Sequence, residues 1–205
     1  IILDAYRGKV YTNPTKERRH QFEEVWREEQ QLSREYHTLT PLLSETQDGH
    51  RLPLWANTGL MTDVVRGLDR GAEGVGLYRT EVAFLLRDRF PSEEEQRSLY
   101  REQLSAFAPH SVTMRTLDIG GDKSLPYFPI REDNPFLGWR GIRVSLDHPE
   151  IFLVQVRAML KASEGLNNLR IMLPMISGTV ELEQALQLIH RAWHELQEEG
   201  HDIQL

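Results

Sequence analysis

The sequence predicts an α/β protein built around a parallel sheet. After residue 51, short apolar runs alternate with longer segments in which apolar residues recur every three or four positions, a pattern typical of strands alternating with helices. The apolar runs are almost uninterrupted, which favours strands buried on both faces. Polar residues follow the carboxyl ends of the runs, where parallel (β/α)8 barrels, also called TIM barrels, build their active sites.

Four strand and helix pairs account for the chain after residue 51. Gly71 suits the position just after a helix, Ser92 with Glu95 matches a capping box at a helix start, and Gly200 ends the last helix. Four pairs make about half of an eight-stranded barrel, and the polar strand ends favour this partial TIM barrel over a small doubly wound sheet, which also fits the count. The predicted strands are residues 52–57, 74–79, 112–117 and 169–175, and the predicted helices are residues 62–70, residues 92–106, a helix capped by residues 147–150, and residues 179–199.

The first 43 residues have a different character. Residues 1–13 are predicted to form a short β-hairpin. A hairpin of two strands is only marginally stable in water by itself. Residues 16–37 are dense in Glu, Arg and Gln with a sparse apolar stripe, and predict a long, water-exposed helix with Asn13 or Thr15 as its N-cap. We expect residues 1–14 to be the tail of a preceding domain, residues 15–43 a helical linker, and residues 44–205 the barrel half.

Composition limits the classes of function. With 205 residues, 40% of them apolar, the chain can bury a core, and a net charge of −7 with both signs interspersed predicts neither a nucleic-acid face nor a membrane-binding patch. The chain has no apolar run of about 20 residues, so we expect a cytoplasmic protein. It has no cysteine, hence no disulfide or thiolate chemistry of its own. His190 and His194 lie four residues apart but lack the Glu of an HExxH motif, which favours an exposed helix face over a metal site.

Three arginines occupy the predicted strand ends and the loops that follow. Arg79 ends one strand, Arg115 lies near the end of the next, and Arg140 precedes a helix. Guanidinium groups gathered at one edge of a sheet repel each other unless an anion with several oxygens bridges them, and phosphate and carboxylate both accept paired hydrogen bonds from Arg. The pattern therefore predicts a site for a small ligand that bears both groups.

Ion pairing within the protein is the alternative. Arg79 is followed by Glu81 and Arg115 by Asp118, so each arginine has a nearby carboxylate in sequence. The pair Gly120 and Gly121 predicts a tight turn or a close approach of ligand to backbone, whereas Lys123 beside Asp122 is, taken alone, an ordinary solvated pair. Arg143 is expected to face solvent or a glutamate.

Four ordered motifs resemble a known family. They are Gly-Leu-Tyr-Arg-Thr-Glu at residues 76–81, Arg-Thr-Leu-Asp-Ile-Gly-Gly-Asp-Lys at 115–123, Asn-Pro-Phe-Leu-Gly-Trp-Arg-Gly-Ile-Arg at 134–143, and Leu-Arg-Ile-Met-Leu-Pro-Met-Ile at 169–176. Together they resemble the phosphoenolpyruvate-binding domain of enzyme I of the bacterial sugar phosphotransferase system. The Glu/Arg-rich linker and the Val-Ala-Phe-Leu-Leu run at 82–86 look more like the nitrogen-branch paralogue. Pyruvate phosphate dikinase and phosphoenolpyruvate synthase share the architecture but differ in the Gly-Gly-Asp-Lys loop.

The resemblance implies an enzyme, a transferase that moves the phosphoryl group of phosphoenolpyruvate to a protein histidine and releases pyruvate. Arg79 and Arg115 would grip the phosphate, Arg140 would contribute to the same anion site, and Lys123 would lie nearby. The family also implies Mg²⁺, a phosphocarrier protein similar to HPr, and a homodimer, without nucleic acid or membrane as partners.

The resemblance also implies that catalytic parts are missing from this sequence. The family's acceptor histidine lies in a Thr-Ser-His segment, its proton donor is a cysteine, and its Mg²⁺ ligands are a Glu and an Asp on later strands. Thr-Ser-His and cysteine do not occur here. We therefore expect a fragment with no catalytic residue and no metal ligand, inactive by itself.

Three alternatives remain open at this point. The first is a non-catalytic module that binds phosphoenolpyruvate or mediates dimerisation. The second is an enzyme of the phosphoenolpyruvate synthase or pyruvate phosphate dikinase type. The third is a lyase barrel acting on pyruvate, which would use carboxylate metal ligands at the strand ends rather than arginines.

Overall fold

A computed structural model describes residues 1–121, 123–134 and 136–204. The chain divides into two compact units, Ile1–Leu52 and Pro53–Leu205. Among the described residues, none of the helices combines the length and the apolar character needed to cross a bilayer.

The first unit is a hairpin and a long helix. Strands β1 (Ile2–Asp4) and β2 (Lys9–Tyr11) pair antiparallel, which confirms the predicted hairpin, and α1 (Lys16–Leu39) follows. Thr15 is the N-cap, since its side chain accepts a hydrogen bond from the Arg18 amide. Helix α1 buries none of its residues, so the prediction of a water-exposed helix is confirmed.

The second unit is built on a four-stranded parallel sheet, as predicted. Its strands lie side by side in the order in which they occur along the chain, whereas a doubly wound sheet reverses its order at a switch point. This order is the one expected for consecutive strands of a barrel. The strands are β3 (Ala56–Thr58), β4 (Val75–Arg79), β5 (Val112–Arg115) and β6 (Leu169–Met172).

In the described part of the second unit, six helices accompany the sheet. Ser92 caps α4 and exchanges hydrogen bonds with Glu95 as a capping box, and Gly71 follows α2 at a φ of 77°, so both local predictions are confirmed. The helices are α2 (Met61–Asp69), α3 (Glu81–Leu85), α4 (Glu93–Phe107), α5 (Ile142–Asp147), α6 (Pro149–Ser163) and α7 (Thr179–Glu198).

The core lies between the sheet and its helices. Val75 and Tyr78 of β4 and Val112 and Met114 of β5 are buried in one cluster with residues of α2, α4 and α6. Gly76 and Arg79 of β4 are exposed, and burial alternates along β5, where every second residue is only partly buried. The expectation of strands buried on both faces is therefore wrong for the described residues. Strand side chains alternate between the two faces, and the described helices cover the face that carries the buried residues.

The first strand of the parallel sheet also differs from its prediction. Residues 52–57 were expected to form a buried strand, but the strand is Ala56–Thr58, and Leu52 and Leu54 are exposed. Two physical reasons account for this. β3 is an edge strand with a single neighbour, and Pro53 has no N–H to donate to a sheet.

The sequence did not predict two short helices, α3 and α5. They have five and six residues, too few to show a helical period. The start of α6 lies within the predicted cap at residues 147–150, since His148 is its N-cap, while Asp147 ends α5.

Candidate anion-binding site

Two of the predicted arginines are register partners at the carboxyl ends of neighbouring strands. β4 and β5 run parallel, and Arg79 lies opposite Arg115 in their register. Each arginine is the last residue of its strand. The local cause is the shared direction and near-equal length of the two strands, which bring both strand ends to one edge of the sheet.

Arg115 is anchored by two carboxylates. Its Nη2 donates to Glu81 Oε1 at 2.6 Å, and its Nη1 lies 3.0 Å from Asp118 Oδ2. The Arg115 side chain is only 14% exposed, so the position of its charge is well defined. Of the two ion pairs proposed from the sequence as an alternative, the one between Arg115 and Asp118 is therefore present.

Lys123 lies close to both of these carboxylates, and Arg140 binds one of them, Asp118. Lys123 Nζ lies 2.6 Å from Glu81 Oε1 and 3.7 Å from Asp118 Oδ2. Arg140 binds Asp118 with two hydrogen bonds, from Nε to Oδ1 at 3.0 Å and from Nη2 to Oδ2 at 3.1 Å. Three of the four predicted cations thus meet on one buried carboxylate pair, Glu81 and Asp118.

Arg79 differs from the other three. Its side chain is exposed, and it makes no hydrogen bond or ion pair with any residue that the structure describes. The ion pair between Arg79 and Glu81, proposed from the sequence as an alternative, is not formed, because Glu81 is bound to Arg115 and Lys123. Arg79 contributes only a weak field at Asp63, whose pKa lies below its ordinary value mainly because the amides of Leu60 and Gly59 donate to it.

The charge state of Asp118 follows from its neighbours. Burial alone would raise the pKa of this carboxyl, but the hydrogen bond from Arg140 and the charges of Arg115, Arg140 and Lys123 outweigh burial, so the pKa lies below its ordinary value of 3.8. Asp118 is therefore ionised at neutral pH. Among the described residues, three cations contact Glu81 and Asp118, and Arg79 lies at the neighbouring strand end without contacting either carboxylate.

The glycine pair forms a tight turn that brings Lys123 to the site. Gly120 and Lys123 exchange backbone hydrogen bonds of 3.0 and 3.1 Å, and Gly120 and Gly121 both have positive φ, 120° and 64°. A Cβ atom at Gly120 would lie 3.0 Å from Cβ of Arg140. Glycine at position 120 therefore allows the turn and leaves room for Arg140.

A buried hydrogen-bond network fixes the strand ends behind the cations. Gln155 of α6 donates to the Thr80 hydroxyl at 3.2 Å and to the Tyr100 hydroxyl at 3.1 Å, and accepts from the Leu117 amide at 2.7 Å. Thr80 in turn donates to the backbone oxygen of Arg115 at 2.7 Å. Burial raises the pKa of Tyr100, which stays a neutral donor to Gln96.

Sequence reasoning missed this network. Its one available signal is a glutamine among Phe152, Val156 and Met159 on the apolar face of a helix, and all four side chains are buried. A polar side chain at such a position needs partners, and its partners here lie at the strand ends.

Arg143 lies beside the site and stabilises the loop before α5. Its Nε is 3.4 Å from Glu181 Oε1, and its Nη1 donates to the carbonyl oxygens of Gly138, at 2.7 Å, and Leu137. The expectation that Arg143 faces solvent or a glutamate is confirmed by the Glu181 contact.

The carboxylates and histidines of the described part of the chain do not form a metal site. No group of three or more His, Asp or Glu residues there could hold a metal ion. Glu81 and Asp118, the carboxylates at the site, are already bound by cations. His190 and His194 are exposed on α7.

Similarity to known proteins agrees with the motifs. A family model described as PEP-utilising enzyme, PEP-binding domain, matches residues 33–205. The chain is 45% identical over 198 residues to the protein named phosphoenolpyruvate-dependent phosphotransferase system of Escherichia coli K12. This alignment covers 97% of the chain and 26% of that protein. The chain is 42% identical over 208 residues to phosphoenolpyruvate-protein phosphotransferase of Staphylococcus carnosus, covering 99% and 35%, and 42% identical over 190 residues to that of Bacillus subtilis, covering 92% and 33%. The chain spans about a quarter to a third of the length of these relatives.

Proposed function

The chain belongs to the phosphoenolpyruvate-utilising enzymes through their phosphoenolpyruvate-binding domain, and we propose that it is part of an enzyme that transfers the phosphoryl group of phosphoenolpyruvate to a protein histidine and releases pyruvate. The observation that carries this proposal is the gathering of four cationic side chains around the carboxyl ends of β4 and β5. Phosphoenolpyruvate carries a phosphate and a carboxylate, and both groups accept paired hydrogen bonds from guanidinium groups.

We assign the residues as follows. Arg79 and Arg115 bind the phosphate, Arg140 contributes to the same anion site, and Lys123 lies close enough to add a further donor. Arg79 makes no ion pair with any carboxylate that the structure describes, whereas Arg115 is already fixed in place by two. Donors fixed before the reaction stabilise charge on the moving phosphoryl group without reorganising.

The remaining catalytic parts are proposed to lie outside these 205 residues. The sequence contains neither Thr-Ser-His nor cysteine. The described carboxylates at the site do not fit Mg²⁺, because arginine and lysine side chains already bind Glu81 and Asp118. When bound elsewhere in the enzyme, Mg²⁺ would neutralise phosphate charge. We therefore propose that this chain alone does not transfer phosphate.

The wider setting is proposed from the family. We propose that residues 44–205 form the first half of a TIM barrel, that residues 15–43 link it to a preceding phosphohistidine domain, and that residues 1–14 are the tail of that domain. The proposed partners are a phosphocarrier protein similar to HPr and a second subunit of the same protein. We further propose that the enzyme acts in the cytoplasm, in the nitrogen branch of the phosphotransferase system, with no nucleic acid or membrane partner.

The proposal is tested in the full-length protein as its gene encodes it. Calorimetric titration with phosphoenolpyruvate is expected to show binding that Arg79→Ala weakens. Arg34→Ala serves as the matched control, because Arg34 is an exposed arginine on α1 without a hydrogen bond or ion pair to another described residue. With Mg²⁺ and a phosphocarrier protein, pyruvate release is expected to fall on the order of 10²–10³-fold in the Arg79 variant.

Two results would count against this function. Absence of phosphoenolpyruvate binding in the unmodified protein would contradict it outright. Binding without pyruvate release, whatever the phosphocarrier, would instead support a non-catalytic phosphoenolpyruvate-binding module.

A further inference from the structure

Glu81 is the most deeply buried charged group at the site. Its side chain is 2% exposed, and it is the first residue of α3, two positions after the end of β4. Oε1 accepts hydrogen bonds from Arg115 Nη2 and from Lys123 Nζ, both at 2.6 Å. Oε2 is buried and has no hydrogen-bond partner within the described part of the chain.

This arrangement fixes the distance between two cations. Because both nitrogen atoms lie 2.6 Å from one oxygen, they are at most 5.2 Å apart. Two cations at this separation repel each other, and the shared carboxylate offsets the repulsion. The shared oxygen therefore keeps a lysine ammonium beside a guanidinium in the absence of any ligand.

The two cations do not depend on Glu81 equally. Arg115 also binds Asp118 at 3.0 Å, so it keeps a strong partner if Glu81 loses its charge. Lys123 is 24% exposed, and the next carboxylate oxygen among the described residues, on Asp118, is 3.7 Å away. A lysine on a flexible stem moves into solvent once its short contact is lost. Glu81 is therefore the main anchor of Lys123.

We propose that Glu81 is a positioning residue, which holds Lys123 beside Arg115 so that both cations face the same phosphate group. This inference rests on the proposed function of the site. Glu81 does not itself bind the substrate, because its carboxylate would repel the phosphate. Its contribution to phosphoenolpyruvate binding passes through Lys123.

The experiment uses the full-length protein and the variants Glu81→Gln, Lys123→Ala and the double variant. Glutamine keeps the shape of the side chain but removes the charge that holds Lys123. We expect Glu81→Gln to raise KM for phosphoenolpyruvate roughly 10- to 100-fold, the range for loss of a charged hydrogen bond. In the Lys123→Ala background the same substitution is expected to change KM less than threefold, because Lys123 is then no longer there to be positioned.

A second readout is independent of activity. The reactivity of the Lys123 amine towards acetic anhydride is measured by mass spectrometry, without substrate. We expect faster acetylation in Glu81→Gln than in the unmodified protein, because the ammonium loses its carboxylate partner and becomes more exposed.

Glu93→Gln is the matched control. Glu93 also binds one arginine and one lysine, Arg157 at 2.9 Å and Lys161 at 2.5 Å, but it lies on α4, and its partners are on α6. The Glu93→Gln substitution is expected to leave the KM for phosphoenolpyruvate and the acetylation of Lys123 unchanged. If Glu81→Gln does not fold, Glu81→Asp takes its place, with a smaller rise in KM that also disappears in the Lys123→Ala background.

Two outcomes would overturn the inference. One is a KM for Glu81→Gln equal to that of the Glu93→Gln control. The other is an effect of Glu81→Gln that is equally large with and without Lys123, which indicates a purely structural role. Both require that the unmodified protein binds phosphoenolpyruvate, so failure of the proposed function itself is recognised separately, by absence of that binding.

Discussion

Arg79 and Arg115 are register partners at the ends of β4 and β5, yet their side chains are held in opposite ways. Arg115 is nearly buried between Glu81 and Asp118. Arg79 is exposed and has no ion-pair partner among the residues that the structure describes. Arg115 is therefore held in place before a ligand binds, and the side chain of Arg79 can move towards the bound ligand.

This difference predicts that two alanine substitutions lower the stability of the protein by very different amounts. Arg79→Ala removes an exposed side chain, so the free energy of unfolding should change by less than about 0.5 kcal/mol. Arg115→Ala leaves Glu81 and Asp118 with fewer compensating charges, and should lower it by about 3–5 kcal/mol. Urea unfolding combined with hydrogen exchange of the β5 amides measures both. Equal stability losses in the two variants would contradict the described anchoring.

The turn at Gly120 predicts a selective loss of function. Gly120→Ala would place a methyl group 3.0 Å from Cβ of Arg140 in a backbone conformation with φ of 120°. We expect a stability loss of about 1–3 kcal/mol from backbone strain, and a loss of turnover approaching 10²-fold because Arg140 is displaced.

Gly165→Ala is the control for this prediction. Gly165 has a φ of 73°, but no atom lies within 4 Å of the position that an alanine methyl group would take there. Backbone strain should therefore lower stability by about 1 kcal/mol and leave turnover as it is. A full loss of turnover in the control, or none in Gly120→Ala, would show that contact with Arg140 is unimportant.

The buried network predicts coupling between a tyrosine and a glutamine. Tyr100→Phe removes the hydroxyl that donates to Gln96 and accepts from Gln155, leaving buried polar groups unsatisfied at a cost of about 1–3 kcal/mol. Combined with Gln155→Leu, the loss should be smaller than the sum of the single losses. Tyr36→Phe on exposed α1 is the control and should have no effect on stability. Strictly additive losses would mean that the two side chains do not interact.

The lowered pKa values of three acidic residues predict that the protein loses stability in acid. Hydrogen bonds from Arg89 and from the Ser92 amide lower the pKa of Glu95 from 4.5 to about 2. For Glu93 and Asp118, burial opposes the shift, but their arginine and lysine partners hold the pKa below its ordinary value. The folded state then binds fewer protons than the unfolded state, so unfolding free energy rises with pH in this range. For Glu95 the contribution is complete above pH 4.5 and is lost as the pH falls to about 2.

Urea midpoints measured between about pH 6 and pH 2.5 check this dependence. Glu95→Gln should flatten the fall in stability below pH 4.5, because the variant no longer takes up a proton at this position on unfolding. Glu183→Gln, at an exposed position without an ion pair to any described residue, should follow the unmodified protein. An unchanged slope in Glu95→Gln would contradict the low pKa of this residue.

Local sequence signals predicted much of the fold. The capping box of Ser92 with Glu95 located the start of α4, and the apolar spacing from Thr179 located α7. Both signals depend on residues within one or two turns of each other, so no tertiary information was required. Helices α3 and α5 are too short to carry such a signal, and the extent of β3 depended on its place at the sheet edge.

The sequence predicted which cationic residues belong to the candidate site, but not the hydrogen bonds that join the site to the rest of the protein. The strand ends placed Arg79 and Arg115 at one edge of the sheet, and the roles of these two residues, of Arg140 and of Lys123 remain predictions until the binding experiments are done. Gln155 and its network were not anticipated, because its partners lie 38 to 75 residues away in the chain.

By itself the sequence determined the order of strands and helices, and with it the edge of the sheet where the arginines collect, because side-chain periodicity records local burial. Only the tertiary structure decided which carboxylate meets which cation. Glu81 follows Arg79 by two residues but binds Arg115 and Lys123, which are 34 and 42 residues away. The reason is geometric, because the choice of ion-pair partner depends on strand register and loop path, and these are set by packing of the whole unit.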